Sequence, residues 1–544
     1  MLLILLSLAC STSQTATTPT WSGSVRQIVQ TNCATCHNEG GSGHFALDTY
    51  ADMQPYASTA LAAMEAGVMP PWQADPDCRR YQDERLMSDA DIATFRAWVE
   101  AGAPQGDPAN DLPFQAAPSA FAPTDSAVAP GYVPDATEPD DWRCFVLSDL
   151  SSDATRYLHG TQVIPGSELV HHVLVYAMDA SQTEALLAAD EAEEGAGYTC
   201  FGSPTPGASR DATSGFSVVA GGFPNQIAGW VPGAVPAMLP EDMSIRVDAG
   251  AVIVMQIHYN TLAGEPVSDR TELQLELDEE PTPWLSVTRP LAVVDLDIPA
   301  GDSEVTFSRS FPNYGDPITI RTIMAHMHML GTQQRVTVQP ADGEEECLLD
   351  VPDWDFNWQQ TYTLREGEEV TVGTGDALTL SCTYDNSAGN QPIVNGAPQA
   401  PRDVAWGESS LDEMCLAYYS KVEPWSEPQD SGEAACAGTE ACMAACGDDP
   451  SLDCLLSCPE ADFQCFTCAL GAAQECGAAS CASDLLAARE CLVTCASAAV
   501  MLDGNMGACL TEQCPDEYAQ IQACIDPVLE TEACAASLEE CGVL

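Results

Sequence analysis

The chain has 544 residues, too many for one hydrophobic core, so we expect three or four domains. Its 81 acidic and 18 basic residues give a formal net charge of -63, which argues against a nucleic-acid partner. This charge suits either a surface that stays soluble in high salt or an envelope protein that resists aggregation, and it indicates no function. The 25 cysteines indicate an oxidising compartment.

The first 20 residues predict export. Residues 2–9 form an apolar run that is too short to span a bilayer, and Cys10 follows it directly, ahead of a Ser/Thr-rich tether at 11–20. The segment resembles a bacterial lipoprotein signal with Cys10 as the lipidated residue. It departs from that pattern because no basic residue precedes the run and Ser7 stands where a larger aliphatic residue is usual. We expect a periplasmic, cell-surface or extracellular protein, whose membrane contact would be a lipid anchor on Cys10.

A C-x-x-C-H motif lies in the next expected unit, residues 21–108. Cys33, Cys36 and His37 are typical of c-type haem attachment, because two thiols bond the haem vinyl groups and the histidine ligates the iron. A helix at 22–31, this motif, a methionine loop and an aromatic helix follow one another. This order resembles a small class I cytochrome c domain and implies one covalently attached haem c. A plain disulfide between the two cysteines is the alternative.

The sixth iron ligand is expected on the methionine loop. Met69 precedes two prolines that would fix the loop, whereas the alternative, Met64, lies in an apparent helix at 59–65. The aromatic helix begins at a capping box from Ser88 to Asp91 and ends at Gly102. Its buried face is expected to consist of Ile92, Phe95, Trp98 and Val99.

The middle of the chain predicts an antiparallel β-structure. Residues 109–138 are rich in Pro, Ala, Asp and Ser and indicate a linker, whereas strand-like runs alternate with Gly/Pro turns from 139 to 424. That length suits two sandwiches, which we place at 139–283 and 284–424. A second linker follows at 425–432.

The tail, residues 433–544, holds 16 cysteines, many of them three to five residues apart. A spacing of four places two thiols on one face of a helix. We therefore expect short disulfide-linked helices that do without a large core. Metal clustering is the alternative, although the tail contains no histidine.

Five histidines fall in three strand-like settings of the middle region. A spacing of two places His326 and His328 on one face of a strand, where both imidazoles can bind one metal ion. Adjacent His171 and His172 would point to opposite faces, so sharing a metal requires a β-bulge, a strand end or different ring nitrogens. His258 could supply a third ligand from a neighbouring strand. The alternative is that each histidine packs or hydrogen-bonds alone.

The order of these motifs along the chain carries a resemblance to a known family. A histidine pair, an Ile-His-Tyr strand, an H-x-H motif and an Asp-Glu-Met-Cys segment ahead of two tyrosines follow one another between residues 139 and 424. This pattern resembles the copper type II, ascorbate-dependent monooxygenases, such as peptidylglycine α-hydroxylating monooxygenase and dopamine β-monooxygenase. The resemblance implies two jelly-roll-like sandwiches that each carry one copper ion.

The same resemblance assigns the ligands of both copper ions. His171, His172 and His258 would bind the electron-receiving copper on the first sandwich. The catalytic copper on the second sandwich would be bound by His326, His328 and Met414, with Tyr418 retained beside it. A thioether beside two imidazoles suits copper(I), which prefers soft ligands.

The resemblance also implies a disulfide between Cys382 and Cys415, which would hold the methionine ligand in position. We pair Cys144 with Cys200 because they are the only cysteines of the first expected sandwich. Cys78 and Cys347 have no evident partner in the sequence.

The implied reaction hydroxylates an aliphatic C–H bond with O2 and a reductant such as ascorbate or an envelope electron donor. A tethered haem could deliver electrons to the first copper. Peptide-amidating members place an arginine where this chain has Met324, and a polar amide where it has Leu416. Together with Met327 and Met329, these residues predict a pocket for a small apolar or aromatic substrate, although methionines also serve as core filling.

Two other function classes compete with this interpretation. A non-catalytic copper-binding or electron-relay envelope protein would bind metal without oxygen-dependent turnover. A mononuclear zinc hydrolase does not account for Met414, because zinc seldom takes a thioether ligand, and the chain has no HExxH-like general base.

Overall fold

The structure, a computed structural model, divides the chain into two compact units. One consists of residues 1–72 and 84–118, and the other of residues 73–83 and 119–544. The described residues are 18–38, 43, 45–82, 84–111, 121–137, 139–200, 203–206, 225–231, 234, 236–261, 264–313, 315–394, 396–407, 409–425, 495 and 506–529. Cys10, the linker expected at 425–432 apart from its first residue, and most of the cysteine-rich tail lie outside them.

The described part of the first unit is helical. A π-helical turn at Trp21–Val25 leads into the first helix, and 3-10 turns occupy Gln54–Tyr56 and Pro108–Asn110. The helices are α1 (Arg26–Asn32), α2 (Tyr50–Met53), α3 (Ala57–Glu65) and α4 (Asp89–Glu100). Their apolar faces meet in a small core that includes Trp21, Val25, Met53, Met64, Phe95 and Trp98.

Helix α4 begins at Ser88, the N-cap residue of the capping box expected from the sequence. The Ser88 hydroxyl accepts a hydrogen bond from the Asp91 backbone N–H at 3.1 Å, which satisfies one of the free donors of the first turn. Phe95 and Trp98 are fully buried, whereas Ile92 and Val99 are only half-buried. The expected buried face is therefore confirmed at Phe95 and Trp98, and Val99 packs against the same core while partly exposed, whereas Ile92 lies at the edge of the buried stripe.

The second unit is mainly β-structure. Its first half contains strands β1 (Asp125–Val128), β2 (Asp140–Val146), β3 (Arg156–Ile164), β4 (Val170–Met178), β5 (Tyr198–Thr199), β6 (Asn225–Trp230), β7 (Ala237–Met238), β8 (Met243–Val247), β9 (Val252–Asn260) and β10 (Glu272–Asp278). Helix α5 (Thr183–Ala192) follows β4, and 3-10 turns occupy Ser148–Leu150 and Ala180–Gln182. Strand β1 lies inside the segment that the sequence indicated as a linker. Only one of its four residues is buried, so its composition resembles that of a loop.

The second half continues the β-structure. Its strands are β11 (Trp284–Ala292), β12 (Asp297–Ile298), β13 (Val305–Pro312), β14 (Ile318–His326), β15 (Gly331–Gln339), β16 (Glu346–Val351), β17 (Thr361–Thr363), β18 (Val370–Val372), β19 (Ala377–Tyr384), β20 (Ile393–Val394), β21 (Ala397–Pro398), β22 (Val404–Ala405) and β23 (Leu416–Pro424). In the described part of the tail, the helices are α6 (Met506–Gln513) and α7 (Pro515–Leu529). Cys495 is bonded to Cys509 there.

Three larger sheets organise the second unit. A five-stranded antiparallel sheet has the order β5-β2-β9-β4-β6, and a four-stranded sheet has the order β13-β19-β15-β16. The third sheet runs β1-β10-β3-β8-β11-β23-β14-β17, with β7 beside β3 and β18 beside β14. In it, β8 and β11 pair in parallel, so a single sheet continues from the first half into the second. The pairs β12-β22 and β20-β21 complete the described strands.

The core of the first half lies between two of these sheets. Apolar residues of the five-stranded sheet, such as Phe145, Val173 and Ile257, join one buried cluster with Leu158 and Leu273 of the long sheet. Because strand residues alternate between faces, each sheet contributes every second side chain to this cluster. Among the described helices, none is long and apolar enough to cross a membrane.

Disulfides fix the second unit at three further points. Both pairs expected from the sequence, Cys144–Cys200 and Cys382–Cys415, are bonded in the structure. Cys78 and Cys347, which had no evident partner, are bonded to each other. Their bond joins residues 73–83 to β16, although the sequence had placed this segment in the first expected unit.

Hydrogen bonds also tie residues 73–83 to the second half of the β-structure. The Tyr81 hydroxyl donates to the Leu348 carbonyl at 2.8 Å, and the Gln82 N–H donates to the Thr363 carbonyl at 2.8 Å. Tyr81 is fully buried. The segment is therefore an integral part of this half.

Candidate metal centres

The three histidines of the first half converge on one point. His171, His172 and His258 are buried, and one ring nitrogen of each lies within 4.8 Å of the others. The His172 Nδ1 atom lies 3.2 Å from His171 Nδ1 and 3.4 Å from His258 Nδ1. A neutral imidazole carries one proton and keeps one lone pair, so each of these rings can direct an unprotonated Nδ1 atom toward a metal ion among the three. This donor set fits a metal ion that prefers imidazole.

A β-bulge lets the two adjacent histidines share this point. Strand β4 pairs with β9 through Val170 opposite Tyr259 and His172 opposite His258, which leaves His171 as the extra residue. In a regular strand, adjacent side chains point to opposite faces, and the bulge re-aims one of them. The sequence left a β-bulge, a strand end or different ring nitrogens as alternatives, and the structure shows the bulge. All three histidines meet through their Nδ1 atoms.

A buried carboxylate orients His258. The Oδ1 atom of Asp140, on β2, lies 2.9 Å from His258 Nε2, and an ionised carboxylate can only accept, so Nε2 carries the proton. The Nδ1 atom of His258 then keeps its lone pair for a metal, as in other carboxylate–histidine–metal arrangements. Burial would raise the pKa of Asp140, but hydrogen bonds from His258 and Ser410 outweigh it and hold the pKa below its usual value. Trp142 stacks on the His258 ring with centroids 4.0 Å apart.

The two histidines of the second half have their tautomers fixed in the same way. The Gln359 amide donates through Nε2 to the Phe356 carbonyl, so its Oε1 accepts from His326 Nδ1 at 2.7 Å. The Nδ1 atom of His328 faces the Asp412 carbonyl at 3.2 Å and must donate to it. In both rings Nε2 is therefore the unprotonated nitrogen, which is the atom that can bind a metal.

The position of Met414 follows from the strand register. His326 pairs with Leu416 at the end of the β14-β23 ladder. Two more residues in the same antiparallel register would place His328 opposite Met414. Met414 is buried, its carbonyl accepts from the Tyr384 hydroxyl at 2.8 Å, and the neighbouring Cys415 is held by its disulfide.

Glu413 connects the methionine to the H-x-H turn. Its fully buried carboxylate accepts from the backbone N–H groups of His328 at 2.9 Å, Leu330 at 2.6 Å and Met414 at 3.3 Å. Burial raises the pKa of Glu413 to about 8, although the same backbone N–H groups act in the opposite direction. No spacing pattern in the sequence identifies Glu413, because it is a single acidic residue beside a methionine.

The two sets of histidines lie side by side within the second unit. The rings of His172 and His326 have centroids 6.3 Å apart and are nearly perpendicular. Phe356 stacks on His171 at 4.4 Å and meets the His328 ring edge-on at 6.1 Å. The five imidazoles therefore form one continuous buried cluster.

Burial keeps four of these imidazoles neutral, those of His171, His172, His326 and His328. Desolvation, together with the neighbouring rings, lowers the pKa of His171 and His172 well below the usual value. Burial also lowers the pKa of His326 to about 4 and that of His328 to about 3. At neutral pH the ring nitrogens thus carry the lone pairs that metal binding requires.

Tyr418 lies on the same strand face as the second histidine set. On the β14-β23 ladder, Met324 pairs with Tyr418 and His326 pairs with Leu416. Because side chains alternate, these four residues share one face of the two strands. Met327, by contrast, is fully buried, and a Cβ at Gly331 would lie 2.9 Å from its side chain, so it serves as core filling.

The C-x-x-C-H residues lie in the first unit, after α1. Cys33 and Cys36 are free thiols, so the alternative of a disulfide between them is wrong for this structure. Burial, together with Cys36, raises the pKa of Cys33 to about 12. The Nδ1 atom of His37 faces the Phe45 carbonyl at 3.0 Å and must donate to it, which leaves Nε2 as a potential ligand. Met69 is half-buried on the turn after α3 and precedes a cis peptide bond to Pro70.

One family model matches the second half of the β-structure. Residues 304–429 match the family described as "Copper type II ascorbate-dependent monooxygenase, C-terminal domain". The matched region contains His326, His328 and Met414, whereas the three histidines of the first half precede it. A copper monooxygenase-like function is therefore supported by the half of the β-structure that carries the H-x-H motif.

Among solved structures, the major capsid protein P2 from bacteriophage PM2 is similar at 10% sequence identity and a TM-score of 0.23. That match covers 56% of this chain and 99% of the other. The top component of cowpea mosaic virus is similar at 10% identity and a TM-score of 0.24, with 59% and 99% covered. Likeness at this level carries no argument about fold or function.

Proposed function

We propose that the protein is a copper-dependent monooxygenase that hydroxylates an aliphatic C–H bond of a small apolar or aromatic substrate. The single observation that carries the proposal is the second histidine set. Two imidazoles with unprotonated Nε2 atoms and the buried Met414 lie in the region that matches the copper monooxygenase family. Imidazoles beside a soft thioether sulfur are a donor set for copper.

In this proposal, His326, His328 and Met414 hold the catalytic copper, and His171, His172 and His258 hold the electron-receiving copper. The two halves, residues 139–283 and 284–424, would then be the two jelly-roll-like copper domains of the family. Copper supplies the one-electron redox chemistry by which O2 is activated toward a C–H bond. One oxygen atom enters the substrate, and the other leaves as water with two electrons and two protons. Ascorbate or an envelope electron donor would supply these electrons.

The protein's own residues prepare both sites for this chemistry. Asp140, Gln359 and the Asp412 carbonyl fix the tautomers of three ligands, so no proton has to leave a ligand nitrogen when the metal binds. Burial excludes water from the imidazoles. The close approach of His172 to His326 gives electrons a short path from one set to the other.

The face that Tyr418 shares with His326 supports the substrate class. Met324 and Leu416 line this face beside Tyr418, and no basic residue stands at these positions to bind a carboxylate. An apolar or aromatic substrate would gain burial there, whereas a peptide carboxylate would lose its hydration without a partner. Tyr418 would contact the substrate in this proposal.

The first unit would carry the haem. In this proposal, Cys33 and Cys36 form the two thioether bonds and His37 ligates the iron, with Met69 on the other side. The free thiols and the free Nε2 of His37 fit this role. The haem would then donate electrons to the copper domains. A pyridine haemochrome spectrum of the purified protein tests it: absence of a covalent haem c spectrum excludes the haem.

Export completes the proposal. The three disulfides of the β-structure and the Cys495–Cys509 bond are typical of an oxidising compartment. Lipid attachment would be at Cys10, and mass spectrometry of the mature amino terminus would detect it.

Oxygen consumption tests the central proposal. Copper-loaded protein with ascorbate should consume O2 in the presence of a substrate from a panel of small aromatic and aliphatic amines, with a hydroxylated product. Met414→Leu should lower this rate at least about 100-fold, because it removes a ligand of the catalytic metal. Met178→Leu, a buried methionine on β4, is the matched control and should retain the rate. Two bound copper ions without substrate-dependent O2 consumption by the wild type would favour the relay function.

A further inference from the structure

Asp140 makes more hydrogen bonds than the orientation of one histidine requires. Besides His258, its Oδ1 atom accepts from the Ser410 hydroxyl at 2.7 Å. Its Oδ2 atom accepts from the Ser409 hydroxyl at 3.0 Å and from the Ser410 backbone N–H at 2.9 Å. All of these residues are buried, so the loss of any partner would leave a polar group without water to replace it.

The two serines belong to the other half of the β-structure. They lie 269 and 270 residues after Asp140 and begin the segment that ends at Met414. Within this segment, the Asp412 carbonyl accepts from His328. The Glu413 carboxylate holds the backbone of the H-x-H turn. One carboxylate therefore contacts a ligand of the first histidine set and the segment that builds the second.

We propose that Asp140 is a positioning residue common to both copper centres. It holds His258 in its ligand tautomer and, through Ser409 and Ser410, keeps residues 409–414 against the first half. This inference rests on the proposed function, because it assigns a role toward two copper ions. Its consequence is that the distance between the two centres depends on the serine contacts as well as on the ligands.

If Asp140 acted only on His258, the serine variants would behave differently from the variants of a residue that positions both centres. If the carboxylate only orients His258, the serines merely satisfy its remaining lone pairs, and their loss leaves the second centre in place. If Asp140 positions both centres, loss of the serine hydroxyls loosens residues 409–414 and separates the centres while the first centre keeps its ligands. The serine variants therefore distinguish the two roles.

Three variants make the comparison. Asp140→Asn removes the charge, and Ser409→Ala combined with Ser410→Ala removes the two hydroxyl donors but leaves the bond to His258. Asp141→Asn is the matched control, because the neighbouring carboxylate accepts, among the described residues, from the Tyr132 hydroxyl at 2.7 Å and the Asp135 N–H at 2.8 Å, within the first half. Each full-length protein is measured in three ways. The first is hydrogen–deuterium exchange of peptides covering 409–415 without metal, the second is copper affinity and stoichiometry, and the third is the EPR spectrum with two Cu(II) ions.

The wild type and Asp141→Asn should show slow exchange at 409–415 and the same EPR spectrum of the two Cu(II) ions. The double serine variant should exchange about tenfold faster there and give an altered EPR signal for the Cu(II) ion of the second centre, while copper affinity at the first centre stays within about twofold. Asp140→Asn should show the same faster exchange and a first-centre copper affinity lower by about 10- to 100-fold.

Wild-type exchange and an unchanged EPR spectrum in the double serine variant would overturn the shared role and leave the local one. Faster exchange in Asp141→Asn would overturn the shared role as well, because the loss of either carboxylate on β2 would then loosen residues 409–414. If the wild type binds no copper, the proposed function fails, whereas the exchange measurement still decides whether Asp140 holds residues 409–414. If Asp140→Asn does not fold, the double serine variant decides by itself.

Discussion

His172 and His258 face each other across strands β4 and β9, with their Nδ1 atoms 3.4 Å apart. His258 directs Nε2 toward Asp140, so the Nδ1 atom of the neutral ring keeps a lone pair that faces His172 and can bind a metal ion. This pairing depends on the bulge at His171, which brings a third Nδ1 atom to the same point.

Replacement of His172 by alanine should lower the bound copper from two ions to one per chain. His172 contributes the Nδ1 atom that both other imidazoles approach, so its loss leaves two ligands that are too few to retain the ion. Metal analysis after dialysis against a weak chelator measures the stoichiometry. His159→Ala, on β3, is the control and should keep both ions. Retention of two copper ions by His172→Ala would contradict the assignment of the first centre.

Gln359→Leu should weaken copper binding at the second centre by about 10- to 100-fold, because His326 loses the acceptor that orients its ring. The substitution nearly preserves the volume, so the fold should persist. A competition titration with a chelator of known affinity measures the effect. Gln333→Leu is the control, because the Gln333 amide bonds Asp350 rather than a histidine. Equal affinities for the two variants would show that Gln359 has no role at the metal.

Removal of the Cys382–Cys415 disulfide should lower both stability and copper binding. For the 33-residue separation, the chain-entropy model predicts a loss of about 3–4 kcal/mol in the free energy of unfolding. The double substitution to serine should also weaken the second centre, since Cys415 adjoins Met414. The Cys78→Ser and Cys347→Ser pair is the control and should lose stability without losing copper affinity. Chemical denaturation and copper titration together measure both effects, and a selective loss of affinity in the control would refute the prediction.

The ion pair between Asp125 and Arg156 should make the free energy of unfolding depend on pH. Its hydrogen bonds from Arg156, with Nη1 at 2.9 Å from Oδ1, hold the pKa of the carboxyl below its usual value. A carboxyl whose pKa falls on folding stabilises the folded state above the unfolded pKa, about 4, and loses this effect as the pH falls through its folded pKa.

Asp125→Asn should therefore lower the free energy of unfolding by about 0.5–1 kcal/mol at pH 7, since the pair is partly exposed and screened by water. The difference from the wild type should shrink toward zero as the pH falls below the unfolded pKa of about 4 and through the lower folded pKa. Urea denaturation at several pH values measures it. Asp153→Asn, at an exposed position, is the control. A difference that grows as the pH falls would have the wrong sign.

Local patterns predicted those features that depend on neighbours in the chain. The N-cap hydrogen bond between Ser88 and Asp91 forms because its two partners are three residues apart. His326 and His328 come together because a strand and its continuation repeat every two residues. The mainly β character of residues 139–424 follows from alternating apolar runs and turn residues. The short edge strand β1 was not predicted, because only one of its residues is buried.

The residues that complete the site had no such signal. Gln359 reaches His326 from 33 positions away, and Glu413 holds the turn of His328 from 85 positions away. Each is one ordinary polar residue, and its role depends on a hydrogen bond whose partner is chosen by strand pairing. The bond between Cys78 and Cys347 spans 269 positions and likewise depends on where residues 73–83 pack.

The sequence by itself determined which donor atoms are present and their order along the chain. It also determined that His326 and His328, two residues apart, lie on the same side of the chain. Only the tertiary structure decided that His171 occupies a bulge and that Asp140 serves both halves. The physical reason is that a donor type is a property of one side chain, whereas ring orientation and the approach of distant segments depend on the register of the strands and the burial of their polar groups.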